Sequence, residues 1–204
     1  MVPLHTVFII MLAVFALIGS LRGWAKEIIV AFSVVLALFI EDVMTQRVIV
    51  IRDLWANIPI MSQFWIRIVI FGLIVIFGYA SPSVAQRLGS RVARERLQDI
   101  LLGFFIGLLN GALIIGSLWS FMEAAHYGVP EGQYIVQEII GEDGEVETIV
   151  IYDPEAKGLG GIRPAETDHA TETLLPYLPP RIINGAVLYL AVGLAFVFVI
   201  IVFI

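Results

Sequence analysis

Cysteine is absent from the chain. That excludes disulfides, thiolate nucleophiles, cysteine-ligated zinc or iron–sulfur centres and cysteine-linked lipid anchors. Charge is scarce: 15% of residues are charged and 59% are hydrophobic, against roughly 25% and 45–50% in ordinary soluble domains. No phosphate-binding or dinucleotide glycine fingerprint is present. The histidines are His5, His126 and His169, and none forms an HxxH or HExxH pair, so a metal site is not expected. Glu142, Asp143, Glu145 and Glu147 lack the spacing of a calcium-binding loop and read as a solvated acidic turn. Ser117 and Ser120 have neither a nearby histidine base nor an elbow motif. Catalysis, a cofactor, a metal and a nucleic-acid partner are therefore all unexpected.

The sequence is instead rich in long apolar runs and has an uneven charge distribution. Residues 122–181 hold 12 of the 18 acids and 3 of the 12 bases, a local net of −9 within an overall −6; the remainder carries +3. The acidic part reads as one solvent-exposed loop, and the basic part flanks membrane spans. An apolar helix needs about 20 residues to cross the hydrocarbon of a bilayer. Five segments qualify as candidates: Pro3 to Leu21, Trp24 to Ile40, Phe64 to Ala80, Ile100 to Phe121 and Ile182 to Ile204. In the second, the uncharged part is short and Lys26 must snorkel, so a tilted or partly re-entrant helix is an alternative there. Arg67 in the third reads as an interface anchor that snorkels outward. The first span has its basic residues, Arg22 and Lys26, after it rather than before it, so it reads as a retained helix and not a signal peptide.

Lys and Arg in short connections set orientation. Arg22 and Lys26 in the first connection, with Arg87, Arg91, Arg94 and Arg96 in the third, outweigh Arg47 and Arg52 in the second. The N-terminus and the acidic loop are then expected outside the cytoplasmic membrane and the C-terminus inside. In residues 43–58, Met44, Val48, Ile51, Trp55 and Ile58 form an amphipathic stripe. It suits equally a helix lying in the membrane interface and one packed on the protein's own spans. Ser81-Pro82 is a helix start, expected to open a basic helix that runs to about Leu97 near anionic headgroups. Residues 134–140 and 145–152 are rich in β-branched residues and flank Gly141-Glu-Asp-Gly144, which is a hairpin signal. An isolated hairpin is marginal, so a partner or the membrane scaffold is expected to support it. Residues 153–180, rich in Pro and Gly, are expected to be loop.

Gly103, Gly107 and Gly111 recur at spacing four in the fourth span, a smooth stripe that lets another helix approach closely. Spacing alone does not separate a seam within the chain from one between two copies. Asn110 lies near the middle of that span; it reads either as an interhelical hydrogen bond or as an intramembrane functional site.

Two stretches resemble the colicin V production protein (CvpA) family. Leu21-Arg22-Gly23-Trp24-Ala25-Lys26-Glu27 is similar to its "RGf-xx-E" turn. Asp99-Ile-Leu-Leu-Gly103-Phe-Phe-Ile-Gly107-Leu-Leu-Asn-Gly111 is similar to its "D-R-x-L-G-xxx-G-xxx-G" segment. The resemblance covers about residues 1–121. It departs at His5, where the family usually has an acid, and at Ile100 and Asn110, where arginines are common. It implies a cytoplasmic-membrane protein linked to colicin V production or export and to envelope maintenance, and it makes Arg22, Gly23, Glu27, Asp99, Gly103, Gly107 and Gly111 motif positions without assigned chemistry. Beside the motifs, a small charge cluster is expected where the first, second and fourth helices meet, with Asp99 at a helix start complementing its dipole and pairing with Arg22 or Arg96.

The expected protein is thus an all-α polytopic membrane protein with about five transmembrane helices, an interfacial helix and an extracytoplasmic β-hairpin insert. Its parts are a membrane core over 1–121, an acidic loop over 122–181 containing the hairpin 134–152, and a C-terminal helix over 182–204. Its expected partners are the lipid bilayer and either other membrane proteins or a second copy meeting the glycine seam. It reads as an export-associated component or as a non-catalytic scaffold of a larger membrane complex.

Overall fold

Pro3 holds an extended backbone (φ −60°, ψ 143°) and the apolar run behind it forms helix α1, Leu4–Arg22, which stops at Gly23. The structure is a computed structural model that describes residues 3–80, 96–140, 146–162 and 169–203. After Gly23 the chain turns directly into α2, Trp24–Asp42, which continues as a π-helical turn, Val43–Arg47. Helix α3 is Ile49–Ala56, α4 is Ile60–Ala80 and α5 is Arg96–Ala124. Strands β1, Tyr134–Ile140, and β2, Val146–Tyr152, follow. The short helices α6, His169–Leu174, and α7, Pro179–Ile182, lead to the apolar helix α8, Gly185–Phe203.

Among the described residues, four helical stretches are long and apolar enough to cross a membrane by length and composition: Leu4–Arg22, Trp24–Arg47, Ile60–Ala80 and Leu97–Ala124. The π turn extends the second candidate span to 24 residues. The fifth expected span is occupied by α8, Gly185–Phe203, 19 residues like α1 and without a charged residue. The basic segment opened by Ser81-Pro82 lies outside the described residues, except that Arg96 and Leu97 form the first turn of α5.

Helix α2 is the hub of the bundle. Val30, Val34, Ala37 and Leu38 repeat at helical spacing, are each at most 2% exposed, and meet Phe71 and Val75 of α4, Leu113 and Ile114 of α5, and Leu188 of α8. Edge-to-face ring pairs Phe32–Phe198 at 5.0 Å and Phe39–Tyr189 at 5.7 Å hold α8 to α2. In lipid such packing works through van der Waals contact rather than through exclusion of water. Leu21, Leu73, Phe77 and Phe105 face outward, as lipid-facing side chains do.

The amphipathic stretch after α2 is not one helix. Val48 adopts φ −89° and ψ 105° and splits it into the π turn and α3. An ion pair accompanies the turn: Arg47 Nε lies 3.1 Å from Asp42 Oδ2, as i→i+5 geometry brings residues five apart onto one face. Trp55 is buried, whereas Ile49, Val50 and Leu54 are exposed. The segment therefore packs on the spans with one side and presents an apolar side outward. Gln63 Nε2 of α4 donates to the carbonyls of Trp55 (3.1 Å) and Ile58 (2.9 Å), closing the end of α3.

The hairpin pairs Tyr134 with Tyr152 through Ile140 with Val146, antiparallel; its turn, with Asp143-Gly144, lies outside the described residues. Aromatic rings support its base. His126 stacks on Tyr134 at 4.6 Å, and Tyr127 meets Tyr152 at 6.2 Å. Trp119 Nε1 of α5 donates to Tyr127 Oη at 3.2 Å, and Phe8 of α1 packs on Trp119. His126 and Tyr127 hold φ of 49° and 53°. Such left-handed backbone costs about 1–3 kcal/mol per residue, which the rings offset. The acidic loop beyond β2 is not wholly irregular: it contains α6 and α7. Arg181 of α7 donates through Nη2 to both carboxylate oxygens of Glu123, at 2.6 and 2.7 Å.

Candidate functional site

Gly23 makes the corner between α1 and α2. Its φ of 82° and ψ of 154° lie where side chains are strained. A Cβ there would also come within 2.7 Å of Asp99 Oδ2. Glycine is thus required twice, by the turn and by the carboxylate beside it. Asp99, in the first turn of α5, accepts a hydrogen bond from the Trp24 backbone N–H at 3.3 Å. It therefore caps the start of α2 from a different helix while complementing the dipole of its own.

Arg22 and Glu27 flank the corner. Arg22 Nη1 lies 3.2 Å from Glu27 Oε1, an ion pair without hydrogen-bond alignment. Arg22 Nη2 donates to the Tyr79 carbonyl at 3.3 Å, and the guanidinium sits 4.3 Å from the Tyr79 ring centroid. Arginine here binds α1 to α2 and α4 together. Glu27 is 0% exposed, as is Asn110. Asn110 Nδ2 donates to Glu27 Oε2 at 2.8 Å and to the Glu27 carbonyl at 2.9 Å. Two acceptors on one side fix which end of the amide faces α2. Asn110 Oδ1 and Tyr79 Oη are buried without a hydrogen-bond partner.

The glycine stripe lies within the chain. Gly103, Gly107 and Gly111 of α5 meet α1 at Gly19, Phe15 and Leu12. A Cβ on Gly107 would sit 2.5 Å from the Phe15 carbonyl oxygen and 2.8 Å from Gly19 Cα, so backbone touches backbone. Gly103 also lies against Gly23. One continuous surface therefore joins Arg22, Gly23, Glu27, Asp99, Gly103 and Asn110, with Gly107 and Gly111 extending it along α1. This is the expected charge cluster between the first, second and fourth helices, with Arg22 turned to Glu27 and Asp99 used as a cap.

Sequence reasoning missed a second cluster at the opposite end of α2. Arg67 does not snorkel alone: its Nε lies 3.4 Å from Glu41 Oε1, and its guanidinium sits 5.6 Å from the Trp55 ring and 5.9 Å from that of Phe121. Asp42 and Arg47 form the neighbouring pair. Outside the spans, burial pushes the Tyr152 phenol up to about 12 and raises Tyr127 further. Among the described residues no group of three or more His, Asp or Glu is placed to hold a metal ion.

The arrangement performs three physical tasks: it turns the chain sharply, seals two helices backbone to backbone, and neutralises a carboxylate inside the bundle. Residues 4–138 match a family model described as Colicin V production protein, a span that runs beyond the four long helices into β1. No curated relative and no solved structure matches the chain.

Proposed function

We propose a non-catalytic structural role for this chain, which belongs to the colicin V production protein family: it is a packed component of cytoplasmic-membrane machinery for colicin V production or export and, more generally, for envelope maintenance. The observation that carries the reading is the Glu27–Asn110 pair, wholly enclosed and mutually hydrogen-bonded. A water path along α5 would have to pass this position, and a conduit would leave the amide wet. Backbone contact along the glycine seam closes the α1 side in the same way. The excess of Lys and Arg in the first and third connections supports an external N-terminus, an external acidic hairpin and an internal C-terminus. Exposed apolar residues on the hairpin, among them Ile135, Ile140 and Val146, suit contact with another membrane protein of the same complex.

A second reading, a conduit, rests on the family's export context and on the unpaired Asn110 Oδ1. Because the chain lacks cysteine, Asn110→Cys is a single clean probe. The scaffold reading expects no reaction with a small maleimide in native membranes and full reaction after denaturation in dodecyl sulfate. Rapid labelling in native membranes would replace it with the conduit.

A further inference from the structure

The hairpin has an outer edge that nothing among the described residues covers. There β1 and β2 pair only with each other, and an open strand edge is a template for another strand. Natural sheets blunt such edges with Lys, Pro or a bulge. Strand β1 has neither Lys nor Pro, and its register with β2 runs unbroken from Tyr134 to Ile140. The pairing also fixes which backbone groups are free. The Asp153 N–H donates to the Gln133 carbonyl at 2.8 Å, which makes these two a hydrogen-bonded pair. Antiparallel ladders alternate such pairs with pairs that do not bond to each other. Ile135 and Gln137 therefore bond to β2, and Tyr134, Val136, Glu138 and Ile140 turn their N–H and C=O groups to the outer edge.

Side chains and charge narrow the occupant. Val136, Ile140 and Val146 lie on one face of the hairpin and Ile135, Ile149 and Ile151 on the other, all exposed. A hairpin lying on lipid would gather its apolar residues on one face, whereas a strand added beside β1 packs against both. Strand β1 is the freer of the two: Ile135 and Ile140 are 67% and 78% exposed, while Val150 and Tyr152 of β2 are half-buried. Residues 134–152 contain five acids, Glu138, Glu142, Asp143, Glu145 and Glu147, and no Lys or Arg. Two copies meeting edge to edge would double that charge. Charge therefore argues against self-pairing and for a basic strand.

We infer that the outer edge of β1 takes an added strand from another protein, an extended segment that alternates Lys or Arg with β-branched residues. Main-chain hydrogen bonds to Val136, Glu138 and Ile140 supply the pairing, and the carboxylates of the hairpin select the basic sequence. The inference rests on the reading of this chain as a packed component of larger machinery. The Asn110→Cys labelling tests that reading without involving the hairpin, so the two fail separately.

The test uses the full chain in phosphatidylcholine nanodiscs, with a fluorescein-labelled heptapeptide of alternating Lys and Val as the probe and anisotropy as the readout. The wild type should bind it saturably and more tightly than a Glu–Val heptapeptide, and a fully N-methylated probe should not bind. Val136→Pro removes an N–H that faces outward and leaves the ladder to β2 in place, as proline on an edge strand does. It should weaken binding about fivefold. Glu138→Lys should also weaken it and raise the affinity for the Glu–Val peptide. Glu138→Lys keeps every backbone N–H, so it decides the matter even where Val136→Pro unfolds the hairpin. No saturable binding, equal binding of the two peptides, binding of the N-methylated probe, unchanged binding in either variant, or equal binding to empty nanodiscs overturns the site. A wild-type dimer that Val136→Pro dissociates overturns it too, since the edge would then belong to a second copy.

Discussion

The two ends of α2 solve the problem of polar groups in a bundle differently. At the Gly23 corner the contact is backbone on backbone, and a fully enclosed carboxylate is held by an arginine and an amide. At the Glu41–Arg67 end the contact is between long side chains, partly exposed. The first end tolerates almost no change of shape. The second has room to rearrange, because a side chain finds another rotamer more easily than a helix backbone moves. The seam is therefore where the architecture is fixed, and the other end is where adaptation is available.

Substitutions in glycine should break this contrast most sharply. Gly107→Val places a branched side chain where even a Cβ would lie 2.8 Å from Gly19 Cα. It should prevent α1 from docking on α5, seen as loss of a monodisperse species in detergent chromatography. Gly72→Ala in α4 has nothing within 4 Å; it should be neutral or stabilise by up to about 1 kcal/mol, through helix propensity. Equal damage from both would remove the distinction.

Removing one partner of the enclosed cluster comes next. Glu27→Ala leaves Arg22 and Asn110 facing each other without the carboxylate, and should destabilise by about 3–5 kcal/mol, read as a fall in thermal melting temperature in detergent. Arg67→Met, at the other end, should cost less, because the carboxylate it leaves behind, Glu41, is 17% exposed where Glu27 is wholly enclosed, so water can partly take the place of the lost arginine. A larger drop for Arg67→Met would invert the comparison.

The smallest effect is expected at the hairpin base. Tyr152 keeps its proton to about pH 12 in the folded chain, against an ordinary value of 10.0. The folded state then binds more protons than the unfolded chain between those values, so stability falls as pH rises. It is intact below pH 10 and should decline from pH 10 to 12, followed by phenolate absorbance together with protease sensitivity of the hairpin. Phenolate that appears near pH 10 in the wild type but is missing from Tyr152→Phe, with the hairpin still protected, would contradict the burial of this ring.

Much of the fold was legible because its signals are local. Apolar runs announce spans, β-branched runs around Gly141 to Gly144 announce a hairpin, and glycines four apart announce a smooth helix face. The partner of that face was not legible: Gly19, Phe15 and Leu12 lie some 90 residues upstream, and no periodicity links them to Gly103, Gly107 and Gly111. The same holds for Arg67, which reads in isolation as a snorkelling anchor although Glu41 of another helix faces it. The break at Val48 was hidden because no glycine or proline marks it. Asn110 was visible as an oddity, but its partner was not, since no spacing links it to Glu27, 83 residues upstream.

The central claim is that Glu27 and Asn110 act as one buried unit across α2 and α5. A double-mutant cycle of Glu27→Gln and Asn110→Leu, measured by thermal unfolding in detergent, addresses it directly. The two substitutions should couple by about 0.6–2 kcal/mol, with the double variant less damaged than the sum of the singles. Strict additivity would mean that the two side chains do not support each other, and the enclosed-cluster account would fail.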